Sequence, residues 1–290
     1  MLLNRLWKKT VQFGKMIKFS HSVFALPFAL AGATLAGEQV PLNAWKIFWI
    51  VLAMVGARNA AMGFNRLVDK KIDAANPRTK DRHLPAGKMK EREIIVFIFL
   101  FSILFIYSAF RLNMLCFALS PLALFVILSY SYTKRFTSFS HYILGVALGL
   151  APIGAWLAIT GFFAWPPIVL SLAVMFWVAG FDILYACQDF EFDKNVRVFS
   201  IPKKTGIKKA LLIAKGSHVL SFILLAYLSW LVPLYFIYSA GLVIIAGLLS
   251  YEHSLVKPDD LSRLDMAFFR MNGIISIIFF IAVLGDVYLL

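Results

Sequence analysis

The stretch NRLVDKKID at residues 65–73 follows one apolar run, and DFEFD at residues 189–193 follows another. In each stretch the two aspartates are four residues apart, so a continuous helix would stack them on one face. Stacked carboxylates repel each other, and a pair at a membrane boundary therefore indicates a cation that bridges them. Two such pairs that face each other would hold Mg²⁺ and, through it, a diphosphate. The pattern predicts an enzyme that acts on a diphosphate at a membrane surface.

The composition is that of a membrane protein. Of the 290 residues, 61% are hydrophobic and the mean hydropathy is +0.80, whereas soluble domains contain roughly 45–50% apolar residues. The apolar runs have a length of about twenty residues, which crosses a bilayer as an α-helix. The predicted fold class is an all-α polytopic membrane protein with a single domain over residues 1–290. Nine transmembrane spans are predicted, at about 19–36, 44–65, 93–111, 113–131, 141–160, 166–187, 209–230, 233–250 and 267–285.

Lysines and arginines predict how the spans are oriented. Of 29 such residues, 26 lie in the N-terminal segment and in 66–92, 134–135, 194–215 and 257–270. The positive-inside rule places these segments and both aspartate motifs in the cytoplasm, with the N-terminus inside and the C-terminus outside. We expect an integral protein of the cell inner (plasma) membrane, embedded in the lipid bilayer. Because the net charge of +14 is spread in this way, it gives no reason to expect a nucleic-acid partner.

The first motif extends back into span two along one helical stripe. Arg58 lies eleven residues before Asp69, and Asn65 lies four residues before it. In a helix these spacings place both residues roughly on the stripe of Asp69 and Asp73. Carboxylate and amide oxygens are hard ligands, which suit Mg²⁺ better than zinc. For one aspartate pair alone, the alternative is a solvated helix end in a charged loop. The second pair, in the matching position after span six, weakens that alternative.

The second motif extends into span six in the same way. Tyr185 and Asp182 share a face with Asp189, and Asp182 lies seven residues, or about 10 Å, deeper in the span. A carboxylate at that depth is costly and predicts a function. The alternative is that a polar group of a neighbouring helix satisfies it. Asp69 and Asp189 are 120 residues apart at the ends of spans with the same direction, which indicates a weak internal duplication.

Basic residues accompany both motifs. The loop at 76–87 contains arginines, whose forked guanidinium groups match phosphate oxygens, and its prolines and Gly87 favour a shaped loop over a long helix. The alternative is a loop whose positive charge only sets the orientation of the spans. Such a loop would need the charge but no fixed spacing. The chain has no P-loop, GxGxxG, HExxH or paired CxxC motif, so nucleotide-fold and zinc chemistry are not predicted. His21 is a candidate cavity residue, whereas His141, His218 and His253 are interpreted as interfacial or structural.

These motifs resemble those of the UbiA superfamily of intramembrane prenyltransferases. The resemblance rests on Asn65, Asp69 and Asp73, on NPRTKDRHLP at 76–85, on YTKR at 132–135 and on DILYACQDFEFD at 182–193. It extends to KFSHSVFALP at 18–27, YEH at 251–253 and AFFRMNG at 267–273, and therefore covers nearly the whole chain. The flanking sequence is most similar to the 4-hydroxybenzoate polyprenyltransferase branch. The stretch from Asp182 to Pro202, with the SIP triplet at 200–202 after the second motif, is also similar to relatives proposed to prenylate a dihydroxynaphthoate in an alternative menaquinone route.

The resemblance implies nine transmembrane helices around a central cavity, capped by cytoplasmic loops. It implies Mg²⁺ as the cofactor, with a polyprenyl diphosphate and an aromatic acceptor as substrates, and says nothing of protein partners. The implied reaction prenylates 4-hydroxybenzoate at the ring carbon ortho to the hydroxyl and releases diphosphate, as in ubiquinone biosynthesis. An alternative acceptor is 1,4-dihydroxy-6-naphthoate, in menaquinone biosynthesis. A membrane transporter is the alternative of another class, although transporters bind substrate near the bilayer midplane.

The resemblance also implies roles for individual residues. The implied metal ligands are Asn65, Asp69, Asp73, Asp189 and Asp193. The implied diphosphate ligands are Arg66, Arg78, Arg82 and Lys134. The implied catalytic residues are Asp69, Asp189, Asp182 and Tyr185, and we expect Asp182 to accept a proton from the phenol or to orient it. The expected acceptor-binding residues are Arg135 as the first candidate for the carboxylate, Arg58 as the second, and His21.

Overall fold

Helices account for most of the chain in the computed structural model, which describes residues 13, 14, 16 and 24–290. The described residues contain no β-strand, and their one bridge pairs Lys257 with Asp260 in a loop. The α-helices are α1 (Leu26–Gly37), α2 (Ala44–Val68), α3 (Lys70–Ala75), α4 (Glu91–Leu112), α5 (Met114–Thr133), α6 (Ser140–Thr160), α7 (Trp165–Ala186), α8 (Phe190–Lys194), α9 (Ile201–Thr205), α10 (Ile207–Leu231), α11 (Phe236–Ser254) and α12 (Asn272–Leu289). A 3₁₀ turn at Cys187–Asp189 follows α7, and a π-helix at Met266–Met271 leads into α12. The predicted all-α fold class is confirmed.

Eight of the predicted membrane spans correspond to helices that are long and apolar enough to cross a bilayer. Their bounds are Ala44–Val68, Glu91–Leu112, Met114–Thr133, Ser140–Thr160, Trp165–Lys194, Ile207–Leu231, Phe236–Ser254 and Met266–Leu289. The first predicted span, 19–36, begins outside the described residues. Its described part belongs to α1, an apolar helix of 12 residues, which at about 1.5 Å per residue reaches only part of the way across a bilayer.

Glycines let α6 and α7 approach closely at the centre of the bundle. A Cβ atom added to Gly145 would lie 2.3 Å from the carbonyl oxygen of Met175, and one added to Gly149 would lie 2.7 Å from that of Ser171. Membrane helices use small residues in this way because packing, not water exclusion, holds them together. The close approach brings two polar side chains together further along the same interface, where His141 of α6 meets Asp182 of α7.

The helices break at the first aspartate of each motif. The helical spacing of the first pair is nevertheless kept, because the Asp73 N–H donates to the backbone carbonyl of Asp69 at 2.8 Å. Helix α2 ends at Val68 and α3 begins at Lys70, with Asp69 between them at φ −87° and ψ 0°. Asp189, the last residue of the 3₁₀ turn before α8, has nearly the same backbone conformation, φ −96° and ψ 6°. Both lie in the sparsely populated bridge region, where many active-site residues are found.

We expect Gly145→Ala to lower the melting temperature of the purified protein, because its methyl group would collide with the backbone of α7. Overpacking of this kind costs about 1–3 kcal/mol. Gly154→Ala is the matched control in the same helix, since a Cβ there meets no atom within 4 Å and alanine favours helix. Equal melting temperatures for the two variants, measured in the same detergent, would contradict the close helix contact.

Candidate functional site

The two aspartate motifs line one cavity of about 740 Å³. The cavity runs from the motif end of the bundle into an apolar interior formed by α2, α5, α6 and α7. All predicted metal and diphosphate ligands line it, as do Arg58, Asp182 and Tyr185. The polar side chains are concentrated at one end, and the interior walls carry side chains such as Met54, Leu119, Val126 and Leu148. The cavity can therefore accept a molecule with an anionic head and a long apolar tail.

Asp69 is buried among cationic and amide groups at the mouth of the cavity. Its exposed fraction is 2%. Its Oδ2 accepts hydrogen bonds from Lys134 Nζ at 2.5 Å and from Asn65 Nδ2 at 3.0 Å. Its Oδ1 lies 3.3 Å from Arg135 Nη2. These groups balance a carboxylate that the apolar surroundings would otherwise destabilise.

Asp73 has a separate set of partners. Arg82 Nη1 donates to both carboxylate oxygens, at 2.7 and 2.9 Å, and Arg66 Nη1 lies 4.0 Å from Oδ2. The hydroxyl of Thr79 donates to the backbone carbonyl of Asp73 at 3.0 Å. The loop after the first motif thus folds back onto that motif, and places Arg82 at the cavity.

Arg78 connects the first motif's loop to the second motif. Its Nε donates to Asp189 Oδ1 at 2.9 Å, and its Nη1 donates to the Tyr185 hydroxyl at 3.0 Å. Asn76 Nδ2 also donates to Asp189 Oδ1, at 2.9 Å. Partial burial favours a lower pKa for Arg78, but its hydrogen bonds and charge interactions with Asp189 and Tyr185 outweigh burial and raise the pKa above its usual value. Two motifs 120 residues apart are therefore joined by direct contacts.

The remaining two carboxylates each have one close partner. Ser200 Oγ donates to Asp193 Oδ2 at 2.9 Å. His141 Nδ1 lies 2.7 Å from Asp182 Oδ2, so a polar group of a neighbouring helix satisfies Asp182, and His141 has a structural contact at the cavity. Asn76, His141 and Ser200 are cavity residues that sequence reasoning did not assign. Their positions follow from contacts between distant helices and loops, for which the local sequence carries no spacing signal.

Arg135 does not take the position predicted for it. Among the described residues that line the cavity, Lys134 is present and Arg135 is absent. The Arg135 guanidinium instead donates to the carbonyls of Ser131 and Val68, at 2.9 and 2.8 Å, beside the ring of Tyr132. Arg58, the second candidate, lines the cavity. His21, the third acceptor-binding candidate, lies outside the residues that the structure describes.

The donor set fits Mg²⁺ when a diphosphate completes its coordination. Asn65, Asp69, Asp73, Asp189 and Asp193 offer only hard oxygen ligands, as Mg²⁺ requires. Within the described residues, however, no three of the aspartate, glutamate, histidine and cysteine side chains are grouped closely enough to hold a metal alone. Mg²⁺ commonly binds one or two carboxylates together with substrate phosphates and waters. The site therefore suits a metal that arrives with a phosphorylated ligand.

Comparisons with known proteins agree with this geometry. The model of the UbiA prenyltransferase family matches residues 25–274. A 4-hydroxybenzoate octaprenyltransferase from Nitrosospira multiformis is 30% identical over 286 residues, which cover 94% of this chain and 95% of that protein. A UbiA homolog from Aeropyrum pernix K1, solved in the apo form, superposes with a TM-score of 0.84 at 30% identity, covering 92% of this chain and 98% of its own. A UbiA homolog from Archaeoglobus fulgidus bound to DMAPP and Mg²⁺ shares the fold, with a TM-score of 0.71 at 21% identity and coverage of 96% and 100%.

We expect Arg78→Ala to loosen the loop of residues 76–90, because Arg78 holds it to Asp189 and Tyr185. With 32% of the Arg78 side chain exposed, the lost contacts are worth about 1–2 kcal/mol. Backbone amides of the loop should then exchange hydrogen roughly 5- to 30-fold faster. Lys80→Ala, at an exposed position in the same loop, is the control and should exchange like the wild type. Unchanged exchange in both variants would show that the Arg78 contacts do not hold the loop.

Proposed function

The chain belongs to the UbiA prenyltransferase family, and from that premise we propose its substrates and the roles of its residues. It is a prenyltransferase enzyme embedded in a membrane by apolar helices. The proposed reaction is the Mg²⁺-dependent transfer of a polyprenyl group from polyprenyl diphosphate to 4-hydroxybenzoate, at the ring carbon ortho to the hydroxyl. The observation that carries the proposal is the contact between the motifs, where Arg78 reaches Asp189 across the cavity mouth.

The cavity mouth binds the diphosphate. Arg78, Arg82 and Lys134 now neutralise Asp189, Asp73 and Asp69. These three cations are also the groups best suited to bind phosphate oxygens. When bound by the asparagine and four aspartates of the motifs, Mg²⁺ would neutralise negative charge on the diphosphate. Arg78, Arg82 and Lys134 could then bind phosphate oxygens in place of the carboxylates, so that every charge in the site would keep a partner.

The transfer replaces one bond to the prenyl C1 atom with another. The C1–O bond breaks, and its electron pair leaves with the diphosphate, where Arg78, Arg82 and Lys134 stabilise the growing charge. The ring carbon ortho to the phenol attacks C1 and forms the new C–C bond. The phenolic proton passes to Asp182, and the proton of the attacked ring carbon moves to the phenolic oxygen, which restores aromaticity and leaves one released proton on Asp182. The apolar interior walls exclude water that would otherwise capture the allylic cation.

Two polar side chains inside the cavity suit the two ends of the aromatic acid. Arg58 is proposed to bind the carboxylate, since it lines the cavity and Arg135 does not. Asp182 is proposed to receive or orient the phenolic proton; its side chain is 26% exposed to the cavity. Tyr185 holds Arg78 through its hydroxyl and stacks on Phe268 with ring centroids 4.1 Å apart. The polyprenyl tail occupies the apolar part of the cavity.

We also propose the orientation suggested by the basic segments. The cavity mouth lies on the cytoplasmic side of the cell inner membrane, the C-terminus lies outside, and residues 1–290 form one domain. The second candidate acceptor is 1,4-dihydroxy-6-naphthoate, which presents the same carboxylate and phenol to Arg58 and Asp182. The observation in its favour is the resemblance of residues 182–202 to relatives proposed to prenylate a dihydroxynaphthoate. A transporter is no longer a competing interpretation, because the family is one of transferases.

A transfer assay tests the reaction. Purified protein receives a labelled polyprenyl diphosphate with either 4-hydroxybenzoate or 1,4-dihydroxy-6-naphthoate, with Mg²⁺ or with EDTA. We expect labelled product from 4-hydroxybenzoate with Mg²⁺ and none with EDTA, because the diphosphate needs the metal to leave. Product from the naphthoate alone would replace the proposed acceptor. Absence of product from both acceptors in folded protein would contradict the assignment of an aromatic acid.

Kinetics of arginine variants test the proposed acceptor site. We expect Arg58→Ala to raise KM for the aromatic acid about 10- to 100-fold, the effect of losing hydrogen bonds to a charged group, with little change in KM for the prenyl diphosphate. Arg135→Ala is the comparison, since Arg135 contacts Asp69 but is not among the described residues that line the cavity. Its main effect should be on the prenyl diphosphate. The opposite pattern would restore Arg135 as the acceptor residue.

A further inference from the structure

We propose that His141 is a positioning residue that holds the Asp182 side chain with one oxygen reserved for the acceptor. The proposal rests on the proposed function, because it gives Asp182 its role at the acceptor. It is carried by a contact between α6 and α7: His141 Nδ1 lies 2.7 Å from Asp182 Oδ2. His141 is 4% exposed and Asp182 reaches into the cavity.

The backbone decides which nitrogen of His141 carries the proton. The amide N–H of Ile201 points at His141 Nε2 over 3.3 Å. An amide nitrogen can only donate, so Nε2 must be the acceptor and the ring is neutral. The remaining proton therefore sits on Nδ1, which donates to Asp182 Oδ2. A buried imidazole fixed in this way cannot rotate to offer Asp182 an acceptor instead.

The hydrogen bond from His141 gives the two carboxylate oxygens of Asp182 different environments. Oδ2 is occupied by His141, while Oδ1 accepts no hydrogen bond from any residue that the structure describes. A carboxylate that receives one hydrogen bond from a buried donor is held in a fixed orientation. The acceptor's hydroxyl proton can then approach Oδ1 from a defined direction, which is the condition for general-base catalysis.

The same arrangement connects the acceptor side of the cavity to the second aspartate motif. Ser200 donates to Asp193, and the next residue, Ile201, donates to His141. Ser200 and Ile201 stand where α9 begins, with Ser200 as the residue that caps it. The SIP triplet singled out in the sequence thus has a structural role. It holds a proposed metal ligand and the positioning histidine at a fixed separation.

Two substitutions at position 141 separate the two ring nitrogens. In His141→Asn the amide nitrogen takes the place of Nδ1 and can still donate to Asp182. In His141→Gln the amide reaches the place of Nε2, so the contact with Ile201 is kept and the donor to Asp182 is lost. We expect kcat to fall about 10- to 100-fold in His141→Gln, the usual effect of losing a supporting hydrogen bond. In His141→Asn we expect kcat to fall less than about fivefold, with KM for the prenyl diphosphate unchanged in both.

A double-variant cycle distinguishes positioning from a merely structural role. If His141 acts through Asp182, adding His141→Gln to Asp182→Ala should lower kcat no further. If His141→Gln lowered kcat of the Asp182→Ala variant by the same factor as it lowers kcat of the wild type, the proposal would be overturned. Equal decreases in kcat for His141→Asn and His141→Gln would also overturn it. Thermal stabilisation by Mg²⁺ with geranyl thiolodiphosphate confirms that each variant is folded, and His141→Ala replaces His141→Gln in the cycle if that variant does not fold. An inactive wild type would instead count against the proposed function.

Discussion

Carboxylates at the end of an apolar bundle must be neutralised, and this requirement governs the arrangement of the whole cavity mouth. Asp69 and Asp73 are 2% and 5% exposed, and a buried charge that loses its partner costs about 3–5 kcal/mol. The protein meets the requirement with basic side chains from three places in the sequence: the loop after α3, the turn after α5 and α2 itself. The loops are held over the cavity by these ion pairs and also by apolar contacts, since Leu84 and Met89 are buried in a cluster with Ile94 and Phe97.

The basic side chains that neutralise the carboxylates are also suited to bind the proposed diphosphate substrate. Arginine and lysine form strong but exchangeable contacts, and phosphate competes for them directly. An apolar replacement could stabilise the fold equally well, but it would leave nothing to bind a leaving diphosphate. The site is thus stable without its ligand and complementary to it. The tight contacts of α6 with α7 keep the interior side chains in place while the partners at the mouth exchange.

The sequence predicts the helices and motifs well, because both depend on local patterns. It predicts poorly which side chains contact each other across the cavity. Long apolar runs define spans, and spacing of four residues defines the aspartate pairs, because both are local. Arg78 and Asp189 are 111 residues apart, and His141 and Asp182 are 41 apart, so only the packing of helices brings them together. Lys134 and Arg135 are neighbours, yet α5 ends at Thr133 and the turn that follows sends one side chain to the cavity and the other away. Helical spacing cannot be extended through such a turn, so the contacts of Arg135 could not be read from the sequence.

The helices that carry the two aspartate motifs break with similar backbone conformations but carry different side chains inside the cavity. These side-chain differences match the two polar ends of the proposed acceptor. Asp69 and Asp189 share a helix break with almost the same dihedral angles, which strengthens the indication of an internal duplication. Counted back from these breaks, Arg58 in the first half corresponds to Val178 in the second, and Met62 corresponds to Asp182. Each half thus contributes one polar group where the other is apolar, a cation from α2 and a carboxylate from α7. A molecule with a carboxylate at one end and a phenol at the other fits such a pair, whereas a symmetric cavity would hold it equally well in the reverse, unreactive direction.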